Sequence, residues 1–126
     1  MTKKKILVIE DDPLLIKMYQ TKLVIEGFVV ETAFDGEKGM KLAQKAKPDL
    51  ILLDLMLPVI DGFTVLKILK KDTQTKKIPV IVFSNLAQPS DIEQAKKLGA
   101  IDYIVKASLT PNEIVKRIKK FLGLEK

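Results

Sequence analysis

Ile6-Leu7-Val8-Ile9-Glu10-Asp11-Asp12-Pro13 sets four apolar residues before three acids and a proline. An apolar run of that length, closed by polar residues, reads as a buried strand. Asp12-Pro13 reads as a helix N-cap followed by proline at the first helical position. The chain therefore passes from strand to helix at the acids. The same grammar recurs at Leu50-Ile51-Leu52-Leu53-Asp54, where a second apolar run ends in a carboxylate. Runs that are apolar throughout, rather than alternating, mark strands covered on both faces, as in parallel sheets.

Working outward, apolar segments near 5–9, 29–33, 50–53, 80–83 and 103–105 alternate with five helical patterns. That βα repetition predicts an α/β domain, a parallel sheet with helices on both faces. Right-handed crossovers leave few topologies for it. Gly27 ends the first helix, Asp35-Gly36 opens the second and Lys47-Pro48 closes it. Asp61-Gly62 opens the third helix. Ser90-Asp-Ile-Glu93 reads as a capping box for the fourth helix, which Gly99 terminates. Thr110-Pro-Asn-Glu113 is a second capping box, with Gly123 beyond the last helix.

The 126 residues suffice for one domain with one core, and they show no internal repeat, linker or output domain. We expect a single domain over 1–126 with its core at about 4–123. Only four apolar residues follow the basic start before Glu10, too few for a secretory segment, and no run approaches the roughly 20 residues of a membrane span. A cytoplasmic location without membrane insertion is the expectation. Cysteine and histidine are both absent, which removes thiol chemistry and the commonest general base and metal ligand. The net charge of +6 comes from dispersed lysines with a single arginine, on a chain with few aromatics, so direct nucleic-acid binding is not expected. The basic last helix stays available as a docking surface.

In open α/β sheets the ligand crevice lies outside the carboxyl ends of the strands. Glu10, Asp11 and Asp54 all belong to that end. Each close pair of carboxylates there repels by about 4 kcal/mol at an effective dielectric near 20, so the cluster needs a cation. Taken singly, Asp54 is an ordinary strand-end turn residue, Asp12 a cap, Ser84 a turn former, Tyr103 a sheet aromatic and Lys106 a solvated lysine. Together, four strands deliver an acid pair, an acid, a hydroxyl and an ammonium to one edge. That set suits phosphoryl transfer: a carboxylate nucleophile, acids for a divalent cation, and a lysine and hydroxyl for the phosphoryl oxygens.

Over essentially its whole length the sequence resembles the receiver domains of two-component response regulators. The motifs are Ile6-Leu-Val-Ile-Glu-Asp-Asp-Pro13, Asp54-Leu-Met-Leu-Pro58 with Asp61-Gly62, Ser84, and Tyr103-Ile-Val-Lys106. Each is weak alone; their order and spacing are specific. The resemblance implies a flavodoxin-like, chemotaxis-regulator-like fold, a doubly wound five-stranded sheet in the order 2-1-3-4-5 with five helices. It implies a phosphorylatable switch, not a turnover enzyme, with Asp54 as phosphoacceptor. Mg²⁺, with Mn²⁺ as an alternative, would be held by Asp11, Asp54 and the Met56 backbone carbonyl, and by Glu10 through a water. Lys106 would pair with the phosphoryl group, Ser84 would be the switch hydroxyl and Tyr103 the aromatic that follows it. The implied partners are a histidine kinase or histidine phosphotransfer protein and a downstream protein target. The surface that changes would span roughly residues 90–122, and pairing of two copies on phosphorylation is compatible with it.

The chain departs from the family pattern in three places. Ala107 stands where proline usually follows the lysine, so a trans Lys106–Ala107 bond is expected, because a non-proline cis bond costs about 3–4 kcal/mol. Asn85 replaces a small residue after Ser84, which narrows the phosphate entrance. Met56 and Leu86 stand where polar residues often help water attack, which points to slow autodephosphorylation. A haloacid-dehalogenase-type phosphatase would need an aspartate at 56. A nucleotide or flavin binder would need a glycine- or hydroxyl-rich loop where Glu10-Asp-Asp12 stands. The rival from another class is a pseudo-receiver, an interaction module that keeps the fold without being phosphorylated.

Overall fold

A computed structural model describes residues 3–124, so the extreme start of the basic N-terminal stretch lies outside the described residues. The strands are β1 (Lys5–Ile9), β2 (Val29–Ala33), β3 (Leu50–Leu53), β4 (Val80–Ser84) and β5 (Asp102–Val105). The helices are α1 (Pro13–Ile25), α2 (Gly36–Ala46), α3 (Gly62–Lys71), α4 (Pro89–Lys97) and α5 (Pro111–Phe121). All strands pair in parallel, in the order β2-β1-β3-β4-β5, the flavodoxin-like arrangement expected from the resemblance.

Successive side chains of a strand point to opposite faces, and the core divides accordingly. Ile6 and Val8 of β1, Leu50 and Leu52 of β3, and Ile81 and Phe83 of β4 pack with Ile16, Tyr19 and Leu23 of α1 and Ile114, Val115 and Ile118 of α5. Leu7 and Ile9, Ile51 and Leu53, and Val80 and Val82 pack on the other face with Ala43 of α2, Val65, Leu66 and Leu69 of α3, and Ala95 of α4. Both faces of the central strands are therefore dry, which explains their unbroken apolar character. Truncating one such side chain, as in Leu52→Ala, should cost about 2–5 kcal/mol.

The helix signals mostly act as read. Asp12 Oδ1 accepts from the Leu14 and Leu15 amides, Asp35 caps Lys38 and Asp61 caps Thr64. Both halves of the Thr110–Glu113 capping box form. Gly27, Gly99 and Gly123 all take positive φ beyond their helices. The Ser90–Glu93 capping box does not form. Instead Pro89 enters the helix with Gln88 as N-cap, and no side chain caps it. Proline prefers the first helical position because its missing N–H is unpaired there anyway, and it draws the helix start past Ser90. β4 runs one residue beyond its expected end, to Ser84, and β5 begins one residue early, at Asp102, because the β4–β5 ladder continues from Ile81↔Asp102 to Ser84↔Val105. No described peptide bond is cis, so Lys106–Ala107 is trans as expected.

Candidate functional site

Sheet register decides which side chains can meet. Ile9 lies beside Leu53, so β1 and β3 end level, and the Asp54 amide donates to the Ile9 carbonyl at 3.0 Å. Glu10 and Asp54 are consequently neighbours. Ser84 pairs with Val105, and the Lys106 amide donates to the Ser84 carbonyl at 2.9 Å, which brings the lysine to the same edge. Glu10, Asp54 and Ser84 are buried, whereas Asp11 is exposed.

Glu10, Asp11 and Asp54 each offer an oxygen within 4.8 Å of the other two. The Lys106 ammonium donates to Asp54 Oδ2 at 2.9 Å and stands 2.5 Å from Glu10 Oε1. The Glu10 contact is a close ion pair, so the buried Oε1 has the lysine as its partner. Glu10 Oε2 is fixed by the Asp12 amide at 3.0 Å, and Asp54 Oδ1 by the Met56 amide at 3.1 Å. Each acid therefore has one oxygen anchored by backbone and one turned toward the lysine.

Burial pushes the Glu10 carboxyl up, with the Asp54 charge adding to it and Lys106 and the Asp12 amide opposing. Burial pulls the other way on Lys106, but its contacts with Glu10 and Asp54 outweigh that, and its ammonium is held above the ordinary lysine value. The lysine is thus a charged ammonium shared by two acids. The Phe83 ring lies 5.6 Å from Nζ, a cation–π contact that adds to its placement. The cation demanded by the acids is supplied in part from within the chain.

The buried Glu10 carboxylate, beside two further carboxylates, fits a hard divalent cation, which takes oxygen ligands and retains waters. The ligand set Asp11, Asp54 and Glu10 is chemically suited to Mg²⁺ or Mn²⁺.

Ser84 and Tyr103 are linked through a residue whose bridging position had no sequence signal. The Leu86 amide donates to Ser84 Oγ at 3.3 Å, and the Tyr103 hydroxyl donates to the Leu86 carbonyl at 2.6 Å. One residue after β4, Leu86, thus touches both side chains through its backbone. Burial raises the Tyr103 phenol to about 12, with the Asp91 and Asp54 charges adding to the shift. Gly62 also went unread beyond its role as a helix opener. A Cβ there would lie 2.3 Å from the Asp54 carbonyl oxygen, so α3 can start against the acceptor's own backbone only with glycine. The Asp-Gly pair was the available signal.

A family model described as the response regulator receiver domain matches residues 6–119. The chain is 42% identical over 118 residues to the DNA-binding dual master transcriptional regulator RpaA of Synechocystis, covering 94% of this chain and 48% of that protein. It spans about half the length of the curated relatives it matches. The receiver domain of the Francisella response regulator 1452 superposes with a TM-score of 0.87 at 30% identity, over 96% of this chain and 98% of that one. The receiver domain of the sensor histidine kinase PA1611 of Pseudomonas aeruginosa, solved with a magnesium ion coordinated in the active site cleft, shares the fold. Its TM-score is 0.87 at 24% identity, over 97% of this chain and 99% of that one. Sheet order, strand-tip residues and these matches agree: the chain belongs to the response regulator receiver domain family.

Proposed function

We propose that Asp54 accepts a phosphoryl group from the phosphohistidine of a histidine kinase or histidine phosphotransfer protein, in a Mg²⁺-dependent reaction. Receiver domains of response regulators are phosphorylatable signalling switches rather than turnover enzymes, and they interact with histidine kinases and downstream effectors. The observation that carries the finer reading is the meeting of three carboxylates within 4.8 Å with the Lys106 ammonium on Asp54.

An Asp54 carboxylate oxygen attacks phosphorus, the bond from phosphorus to the donor imidazole nitrogen breaks, and the imidazole leaves with that electron pair and takes a proton from solvent. Asp54 is left as an acyl phosphate. Mg²⁺, held by Asp11, Asp54 and the Met56 carbonyl and by Glu10 through a water, would offset charge on the transferring oxygens. Lys106, already on Asp54, supplies a second positive charge for the phosphoryl oxygens. The Met56 amide orients the acceptor carboxylate through Oδ1.

An aspartyl phosphate carries close to two negative charges, by analogy with other phosphorylations. The Ser84 hydroxyl accepts from the Leu86 amide and keeps its own proton to donate to a phosphoryl oxygen, so a move of Ser84 toward the phosphate would pull on Leu86, which also holds the Tyr103 hydroxyl. We read this as the link from the site to α4, β5 and α5, the surface proposed to control a downstream protein and, through it, pairing of two copies. A complete shift between two states, from 1:99 to 99:1, needs about 5.5 kcal/mol of differential contact energy. Slow autodephosphorylation fits Met56 and Leu86, whose side chains cannot hydrogen-bond an attacking water.

The test is incubation with acetyl phosphate and Mg²⁺, followed by intact-mass spectrometry. The wild type should gain one phosphate, and should gain none without Mg²⁺ or with Asp54→Asn. A wild type that never gains phosphate would leave the unphosphorylated interaction module as the reading.

A further inference from the structure

We propose that Gly36, at the first turn of α2, is a positioning residue for the phosphoryl-accepting site, serving as the abutment that holds the β3–α3 loop. This rests on the proposed role of that loop's Met56 beside Asp54. The loop begins and ends on the acceptor's backbone: the Gly62 amide donates to the Leu55 carbonyl at 2.9 Å, and Gly62 has no room for a side chain against Asp54. Its crest is a tight turn in which the Ile60 amide donates to the Pro58 carbonyl at 2.8 Å around Val59, whose φ is 71°. A positive φ is costly for a β-branched residue and persists only where the surroundings impose it.

Gly36 is one source of that constraint. Its amide donates to the same Pro58 carbonyl at 3.3 Å, and a Cβ on it would lie 2.1 Å from the Ile60 carbonyl oxygen and 2.9 Å from Val65 Cγ2. Gly36 does not have the left-handed φ that would itself require glycine. At the start of a helix, alanine is otherwise the better residue. What demands glycine is the loop carbonyl pressed against it. The opposing atom is backbone, so a methyl group at 36 must move the loop or the helix. The loop's near end carries Met56, whose amide fixes Asp54 Oδ1 and whose carbonyl is a proposed metal ligand. A residue from a separate element, with no contact to the acids, thereby sets where the acceptor and its cation sit.

The experiment compares wild type, Gly36→Ala, and Gly36→Ala combined with Val59→Gly. Mg²⁺ is titrated calorimetrically into each metal-free protein, and amide hydrogen exchange at Ile60 is measured without metal. We expect Gly36→Ala to fold by circular dichroism and to exchange faster at Ile60. It should bind Mg²⁺ about tenfold more weakly, the lower end of what supporting residues around metal ligands are worth. The second substitution should recover most of that loss, because glycine at 59 lets the crest step away. With acetyl phosphate, Gly36→Ala should need more Mg²⁺ for half-maximal phosphorylation. Wild-type Mg²⁺ affinity in Gly36→Ala, no recovery in the double variant, or failure of both variants to fold would each overturn the inference, the last by showing that Gly36 serves the fold alone. If the wild type binds Mg²⁺ but takes no phosphate, the proposed function fails, and the Mg²⁺ comparison still decides the role of Gly36.

Discussion

Replacing Lys106 with methionine keeps the stem and removes the charge, and the structure fixes what should follow. Lys106 Nζ contacts Glu10 at 2.5 Å and Asp54 at 2.9 Å, with side-chain exposures of 14% for the lysine, 3% for Glu10 and 4% for Asp54. Removing one member of a buried charge group costs about 3–5 kcal/mol, because the partners stay buried and uncompensated. Solvent reaches the lysine and lets Glu10 take a proton, so the low end, about 3 kcal/mol, is expected here. The loss should be specific to the metal-free protein. A divalent cation would neutralise the same two acids, so saturating Mg²⁺ should return most of the lost stability, and Mg²⁺ affinity should rise once the competing ammonium is gone. Urea unfolding of both proteins, with Mg²⁺ and with a chelator, measures each quantity. Adding Glu10→Gln to Lys106→Met should relieve part of the metal-free penalty. Equal stability of Lys106→Met and wild type in chelator, or a penalty that Mg²⁺ leaves untouched, would refute the reasoning. Phosphorylation of Lys106→Met should nonetheless fall, since the metal replaces the lysine's resting role and not its contact to the phosphoryl oxygens.

Three further outcomes are expected. Val59→Gly should stabilise the fold by about 1 kcal/mol, since a strained positive φ costs about 1–3 kcal/mol and glycine's lost chain entropy returns about 0.5–1 kcal/mol of it. Calorimetry should show Tm rising by roughly 3–5 °C, and a fall would contradict the turn described at Val59. The acyl phosphate should persist well beyond seconds in a phosphate-release assay, and Met56→Asn, at a side chain 57% exposed beside Asp54, should shorten its life. A half-life of seconds lengthened by that change would be the opposite result. Burial pushes both tyrosines, Tyr19 and Tyr103, up to about 12. The folded protein then holds phenol protons that the unfolded chain releases near 10, so stability should be intact below pH 10 and decline as pH climbs toward 12. Absorbance at the tyrosinate band should show no ionisation at pH 10; a midpoint there would exclude the buried phenols.

The fold was legible because its signals are local and redundant. The dry strands β1, β3 and β4 announce themselves as apolar runs, and Asp12-Pro13, Asp61-Gly62 and Thr110–Glu113 mark helix starts with side chains that act within three residues. Ser90 failed as a cap because two rules compete there, and a proline one residue earlier outweighed a hydroxyl. The site was legible as a set of strand-tip residues, since parallel register makes tips coincide. Its internal wiring was not. That Lys106 would share its charge between Glu10 and Asp54 depends on β5 lying two strands from β3, and that Leu86 would bridge Ser84 and Tyr103 depends on a loop path without regular pattern. Gly36 and Val59 were opaque for the same reason: a close approach between α2 and the β3–α3 loop leaves no mark beyond a glycine that also suits a helix start.

If Asp54 accepts the phosphoryl group, the modification must sit on that carboxylate. After reaction with acetyl phosphate and Mg²⁺, borohydride reduction converts an aspartyl phosphate to homoserine, and peptide mass spectrometry then reads the position directly. Homoserine at residue 54, and at no other acid, is the predicted result. Homoserine at Asp11 or Asp12, or none anywhere while Mg²⁺ binds, would contradict it.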